Sequence, residues 1–290
     1  MKHRKILLLD PDPSLAHLLA SSLGCVVESC RIPEQFPEKL RQSPDLVVGE
    51  TQFLETGDTL ELLAVARREG IPAFVWTSGD IDPVLEDCRN KQLSMLLTKT
   101  SPLMVDELDL AIRMRLLGYR PGIAKYLGSG KSSLGHEQVS ALNQVGRLCR
   151  HVQSALDGPL SASRRLRLVL DELLSNALHH SATAQAFLEW GRDGQKHVFA
   201  VRDEAGTLDA REAMRLLERH LRGEGLMDPR GRGLHLSRIH ADRLYATVVP
   251  GRVSEIVAVF WNCPGAYQGT KPVWFMETGM ASEASVSKED

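Results

Sequence analysis

Glu172 and Asn176 stand four residues apart in Arg164–Ser181, RRLRLVLDELLSNALHHS. At roughly 100° per residue, that spacing sets them one helical turn apart on one edge. A carboxylate there can take a proton, and the amide oxygen beside it can hold a hard cation. Downstream, the strand-like run HVFAVRDEAGTLD ends in Asp203, Ala205 and Gly206, and GRGLHLSRIHADRL opens a helix at Gly231 and Gly233. Glycines at a helix start let backbone amides approach a phosphate, whose charge the helix dipole favours. Taken singly, each stretch has a plain structural reading: the helix edge as the polar margin of a core helix, the glycines as turns. Their order along the chain is what points to chemistry.

The elements that must position these groups are legible in the apolar pattern. Leu166, Val169, Leu170, Leu173, Leu174, Ala177 and Leu178 recur at three- and four-residue steps, which makes Arg164–Ser181 an amphipathic helix. Ser161 or Ser163 can cap its start. An E-L-L-x-N helix, a strand ending in Asp, a variable loop and a G-x-G-L-x-L helix follow one another. This series resembles the GHKL (Bergerat-fold) ATPases, and the anti-sigma-factor serine kinases among them more than the sensor histidine kinases. It spans roughly half of the chain.

The resemblance implies ATP and Mg²⁺ as cofactors. Asp203 would accept from the adenine amino group, Asn176 would coordinate the Mg²⁺, and Glu172 would be the general base toward a hydroxyl. Gly206 belongs to the adenine loop. Gly231 and Gly233 would present amides to the phosphates, with Arg232 or Arg230 adding charge. His180, one turn beyond Asn176, would border the site. The sequence also departs from the family: the D-x-G-x-G box appears as Asp203-Glu204-Ala205-Gly206-Thr207, and His235 replaces the third glycine of G-x-G-L-G-L.

Composition sets outer limits. A chain of 290 residues, 43% hydrophobic and 25% charged, suggests two domains with ordinary cores. Five cysteines, with no C-x-x-C pair, read as reduced thiols of a cytoplasmic protein. Asp10 interrupts MKHRKILLLD too early for a signal peptide, and no apolar stretch reaches membrane-spanning length. The net charge of −2 divides into −5 over residues 1–118 and +3 over the remainder. That balance fits a nucleotide-phosphate site or an acidic protein partner, and argues against nucleic acid or membrane as partner.

Residues 1–118 alternate strands and helices. Strands are expected at Lys5–Leu9, Pro44–Glu50, Ile71–Trp76 and Leu93–Thr98, with helices at Ser14–Leu23, Thr59–Glu69 and Val105–Leu117. Such alternation argues for a doubly wound parallel sheet with its chemistry at the strands' carboxyl ends. Asp10, Glu50, Thr77 and Lys99 fall at those ends, with Asp12 beside them, and the pattern resembles the receiver domain of response regulators. Phosphoryl transfer to a receiver needs an aspartate nucleophile, acids that hold Mg²⁺ and a lysine. Here Glu50 occupies the phosphoacceptor's position and Pro11 that of the second acid. Leu96 replaces the aromatic switch residue, and Thr100 the proline after the lysine. The expectation is a pseudo-receiver held in an active-like state by a Glu50–Lys99 pair. In the alternative, Glu50 only caps a strand of a docking module.

Gly118–Gly135, GYRPGIAKYLGSGKSSLG, reads as a linker. Its GSGKSS is not a Walker A loop, because Lys125 stands where the first glycine belongs. His136-Glu137 has the first two letters of a histidine-kinase phosphoacceptor motif, but only one helix, about His136 to Leu156, separates it from the E-L-L-x-N helix. No dimerising hairpin fits there. Strands at Ala184–Trp190, Lys196–Arg202, Leu244–Val249 and Ser254–Trp261, with a helix at Asp209–Arg222, complete a two-layer α/β sandwich.

The expected fold class is therefore α/β. A receiver-like domain occupies 1–118, a linker 119–135, a GHKL-like ATPase domain 136–264 and a tail 265–290, with Lys271–Glu277 able to add an edge strand. The expected function is that of a signalling protein, an ATP-dependent serine/threonine kinase of the anti-sigma type acting on a protein antagonist, with a homodimer allowed. The alternative is a nucleotide-gated adaptor that sequesters a sigma factor or another signalling protein.

Overall fold

The computed structural model describes residues 3–54, 56–78, 82–99, 104–128, 130–156, 163–181, 183–221, 232–262 and 273–279. Both units are mixed α/β. Met1–Tyr119 with Trp274–Asp290 forms one compact unit, and Arg120–Val273 forms the other.

In the first unit, β1 (Lys5–Leu9), β2 (Val26–Cys30), β3 (Leu46–Glu50), β4 (Ala73–Thr77) and β5 (Leu96–Thr98) pair in parallel in the order β2-β1-β3-β4-β5. All five residues of β3, and all five of β4, are buried, as a parallel sheet covered on both faces requires. The crossovers are α1 (Pro13–Leu23), α2 (Phe36–Arg41), α3 (Thr56–Arg68), α4 (Asp82–Asn90) and α5 (Met104–Leu117). The Asp12 side chain caps α1 at the amide of Ser14, Pro13 opens it, and Gly24 ends it in the left-handed region at φ 61°. The strand order brings the carboxyl ends of β1, β3, β4 and β5 together.

Three elements here escape the pattern expected from sequence. β2 is an edge strand whose Val26 is exposed and whose Glu28 and Ser29 interrupt the apolar run. α2 is a single short helix with Pro33 before it and Pro37 in its first turn, and α4 is a charged helix opening on Asp82-Pro83. β5 is also shorter than Leu93–Thr98, because Gln92 turns at φ 58° and the Leu93 amide still bonds back to Cys88. Val273–Glu277 is a strand antiparallel to β5, with Trp274 opposite Leu97 and Phe275 opposite Leu96. Trp274, Phe275 and Met276 are buried. The part of the expected tail that is described thus belongs to the first unit's sheet.

In the second unit, β6 (Ser132–Val139), β7 (Ala186–Arg192), β8 (Lys196–Asp203), β9 (Arg243–Val249) and β10 (Val253–Trp261) form an antiparallel sheet in the order β9-β10-β8-β7-β6. Val273–Glu277 of the first unit is then β11. Helices α6 (Leu142–Ser154), α7 (Arg164–His180), α8 (Ala210–Leu221) and α9 (Arg232–His240) pack beside one another on the sheet, with α7 against both α6 and α9. Ser163 is the N-cap of α7, accepting from the Leu166 amide. The other cap considered, Ser161, lies outside the described residues, as do Thr100, Arg230, Gly231 and Cys263.

The linker and the helix expected from His136 need correction. Ser132–Val139 is a strand paired with β7, and the helix begins only at Leu142. This strand has no apolar alternation of its own, with His136, Glu137 and Gln138 all exposed, so Val139 reads equally well as the start of a helical series with Leu142 and Val145. Gly135 is required there, since a methyl on it would stand 2.4 Å from the Trp190 ring. Trp190 in turn packs edge-on to His151 of α6, so the neighbouring Glu189 faces the side of the sheet opposite α6.

Residues 120–128 run over that side as a strap. Lys125 Nζ donates to the carbonyls of Arg120 and Gly122, both at 2.8 Å, and to Glu255 Oε1 at 3.1 Å. Tyr126 donates to the same Glu255 oxygen and stacks on Tyr245, while the Gly128 amide bonds to Asp193. Trypsin is therefore expected to spare the Lys125–Tyr126 bond in the native protein. Glu255→Gln, which removes the buried counter-charge, should speed that cleavage on the order of tenfold. Wild-type cleavage as fast as that of an unstructured peptide would contradict the strap.

Candidate functional site

Each unit gathers one cluster of the residues singled out from sequence. In the first, the fully buried Asp10 follows β1, buried Glu50 ends β3, and Lys99 follows β5. Lys99 Nζ lies 3.0 Å from Asp10 Oδ2 and 3.2 Å from Glu50 Oε2, and 4.7 Å from the centre of the Trp76 ring. One ammonium thus bridges two carboxylates over an aromatic face. Glu50 Oε1 accepts from the Thr51 hydroxyl and the Gln52 amide at 3.2 Å, and from the Ser78 amide and hydroxyl at 3.3 Å. Thr51 also donates to Thr77 Oγ1 at 2.8 Å.

Thr51, Ser78 and Trp76 were missed in the sequence. Their signal was adjacency: Thr51 follows Glu50, while Trp76 and Ser78 flank Thr77. Asp12 is exposed and occupied with Ser14, whose amide and hydroxyl hold its carboxyl below the usual range.

The residues of this cluster do not fit Mg²⁺. A cation site needs converging oxygens, and here Lys99 stands between the two carboxylates while Asp12 turns away. Among the described residues, no group of three or more His, Cys, Asp or Glu could hold a metal. Burial pushes the Asp10 carboxyl above its ordinary 3.8, although the Asp12 amide and Lys99 pull the other way. A raised folded-state value means that Asp10's contribution to stability is present below pH 3.8 and is lost as pH rises through the raised value. Asp10→Asn should therefore flatten this part of the profile, read as Tm between about pH 4 and about pH 7. An unchanged slope would assign it to other groups.

In the second unit, α7 and the first turn of α9 meet at the expected residues. A methyl on buried Gly233 would stand 2.5 Å from Asn176 Nδ2 and 2.6 Å from Glu172 Oε2. Only a glycine lets the backbone come this close to both side chains. Glu172 and Asn176 are half-buried, and Arg232 is exposed at the start of α9. Asp203 is buried at the end of β8, where its Oδ1 accepts from the amides of Ala205 and Gly206, both at 3.0 Å. A carboxylate has about four lone-pair sites, so two amide bonds leave capacity for another donor.

Gly206, at φ 58°, presses its Cα against the β9–β10 turn, where a methyl would meet Arg252 N at 2.4 Å and Val249 O at 2.5 Å. The His180 side chain is exposed, and its carbonyl accepts from the Thr207 hydroxyl at 2.7 Å. Thr207, the last position of the Asp203 box, and Ser254, whose hydroxyl accepts from the Leu208 amide, are further neighbours of the site; no sequence motif marks Ser254. The residue types are those a Mg-nucleotide would need, a carboxamide and a carboxylate packed on the glycine at the start of α9 and a buried acid at a neighbouring strand end, with the Asn176 nitrogen turned to Gly233.

Burial pushes the Cys88 thiol up to about 12 and the Cys149 thiol up to about 11, away from the range of a reactive thiolate. Among the described residues, no helix is long and apolar enough to cross a membrane.

No protein-family model and no curated protein matches the sequence. Among solved structures, the chain is similar to a response regulator from Thermotoga maritima, at 15% identity and a TM-score of 0.33, over 38% of this chain and 95% of that one.

Proposed function

We propose that this is a signalling protein whose first unit is a receiver-like module with Lys99 held between Asp10 and Glu50, and whose second unit binds Mg·ATP and phosphorylates a serine or threonine of a protein partner. The observation that carries the reading is Gly233 seated against both Glu172 and Asn176. It brings the start of α9, a carboxamide and a carboxylate to one place. Mg·ATP supplies the transferable phosphoryl group.

Asn176 holds the cation, Asp203 accepts from the adenine amino group, and the amide of Gly233 faces the phosphates. Glu172 takes the proton from the attacking hydroxyl as its oxygen bonds to the γ-phosphorus and ADP leaves. Incubation with [γ-³²P]ATP and small STAS-type antagonist proteins tests this reading. Label transfer that Glu172→Gln abolishes supports it; absence of transfer, or transfer indifferent to that change, overturns it.

A second reading, an adaptor that binds nucleotide without turnover and sequesters a sigma factor or another signalling partner, is favoured by the Asp203 loop. There Ala205 replaces a family glycine, and Gly206 is already occupied by the β9–β10 turn. Stabilisation by Mg·ADP in a thermal shift, without label transfer, would decide for the adaptor, because a ligand of the folded state alone raises Tm. The Lys99-bridged centre of the first unit carries its own expectation. Acetyl phosphate with Mg²⁺ should leave no acid-labile phosphate on Glu50 or Asp12, and stoichiometric labelling of either would refute it.

A further inference from the structure

The loop that follows β8 is fastened at three points. Gly206 is pressed onto the β9–β10 turn and accepts from the Gly251 amide at 3.2 Å. The Leu208 amide donates to Ser254 Oγ at 3.2 Å on β10, one strand over from Asp203. The third point is of another kind: Thr207 Oγ1 donates at 2.7 Å to the carbonyl of His180, the last residue of α7. The final carbonyls of a helix have no partner within the helix, so this hydroxyl occupies an acceptor that α7 leaves open. It joins the loop anchored by Asp203 to the helix that carries Asn176, one turn before His180.

We propose that Thr207 is a positioning residue that fixes the span between Asp203 and Asn176, so that one nucleotide engages the acid through its base and the amide through its metal-bound phosphates together. The proposal rests on the nucleotide reading above. With the hydroxyl in place, a ligand held at one end meets the other end without first ordering the loop, and the two contacts reinforce each other. Without it, Asp203 keeps its bonds to Ala205 and Gly206, but the distance to α7 is no longer set from this side.

The test is calorimetric titration of the full chain with ADP, in Mg²⁺ and in EDTA, for wild type, Thr207→Val and Thr207→Ser. For the valine variant, the Kd of Mg·ADP should rise about fivefold, the equivalent of one ordinary hydrogen bond. The ratio of the Kd in EDTA to that in Mg²⁺ should shrink, because base and metal no longer act together, and serine should restore both quantities. Valine binding like wild type would overturn the proposal. So would equal weakening with and without Mg²⁺, which marks a general loosening of the fold. Wild type that binds no ADP, or binds it indifferently to Mg²⁺, would locate the failure in the nucleotide reading itself and remove this role with it.

Discussion

Lys99→Met is expected to cost about 3–5 kcal/mol of unfolding free energy at neutral pH, the range for leaving buried charge without its partner. Asp10 and Glu50 are both almost wholly removed from water, and the Lys99 ammonium touches each. Methionine matches the length of the stem but leaves two buried carboxylates without their cation. The Thr51 and Ser78 hydrogen bonds to Glu50 survive and cannot balance two charges.

The pH dependence follows from that geometry. Without the ammonium, Asp10 loses one of the contacts that offset its burial, so its carboxyl holds its proton still more tightly when folded. The folded state is then favoured at low pH, and that advantage is lost as pH rises through the raised value. The variant's deficit should be smaller at about pH 5 than at about pH 7 in urea unfolding. Trp76, directly under the Lys99 ammonium, supplies a fluorescence signal local to the change. A variant as stable as wild type at neutral pH would show that something other than Lys99 balances the pair.

Gly206→Ala should lose about 2–4 kcal/mol, combining a left-handed backbone on a residue with a Cβ and a forced overlap. The atoms in the way are backbone, Arg252 N and Val249 O, so no side chain can swing aside. Gly251 provides the control: at φ 69° it has the same backbone requirement, yet nothing lies within 4 Å of the methyl position. Gly251→Ala should therefore cost only about 1–2 kcal/mol. The difference between the two, measured by urea unfolding, isolates the close approach of the loop to the β9–β10 turn. Equal losses would mean that the turn yields.

How far the sequence could be read depended on where an element's specification resides. α7 was legible from Ser163 to His180 because its cap, its apolar stripe and its length are all local. β3 and β4 were legible because a strand buried on both faces is a continuous apolar run. β2 and α4 were not, since an exposed edge strand and a charged helix take their conformation from the partners they lie on. β6 failed for a different reason: Gly135 reads as linker until Trp190, fifty-five residues later, is seen to need its empty face. Among the site residues, Glu50 and Lys99 could be paired by their strand ends alone. The Thr207–His180 contact joins two motifs that are separate in sequence, and neither motif announces the other.

The return of Val273–Glu277 to the sheet of the first unit has a consequence for biosynthesis. The ribosome finishes the strands β1 to β5 early, yet the strand beside β5 emerges only after the whole of Arg120–Val273 has been made. The inserted unit can therefore complete its own sheet first, while Leu96 and Leu97 wait uncovered for Phe275 and Trp274. A nascent chain stalled before residue 273 would carry a finished second unit and an unfinished first one, the reverse of the order in which the two begin.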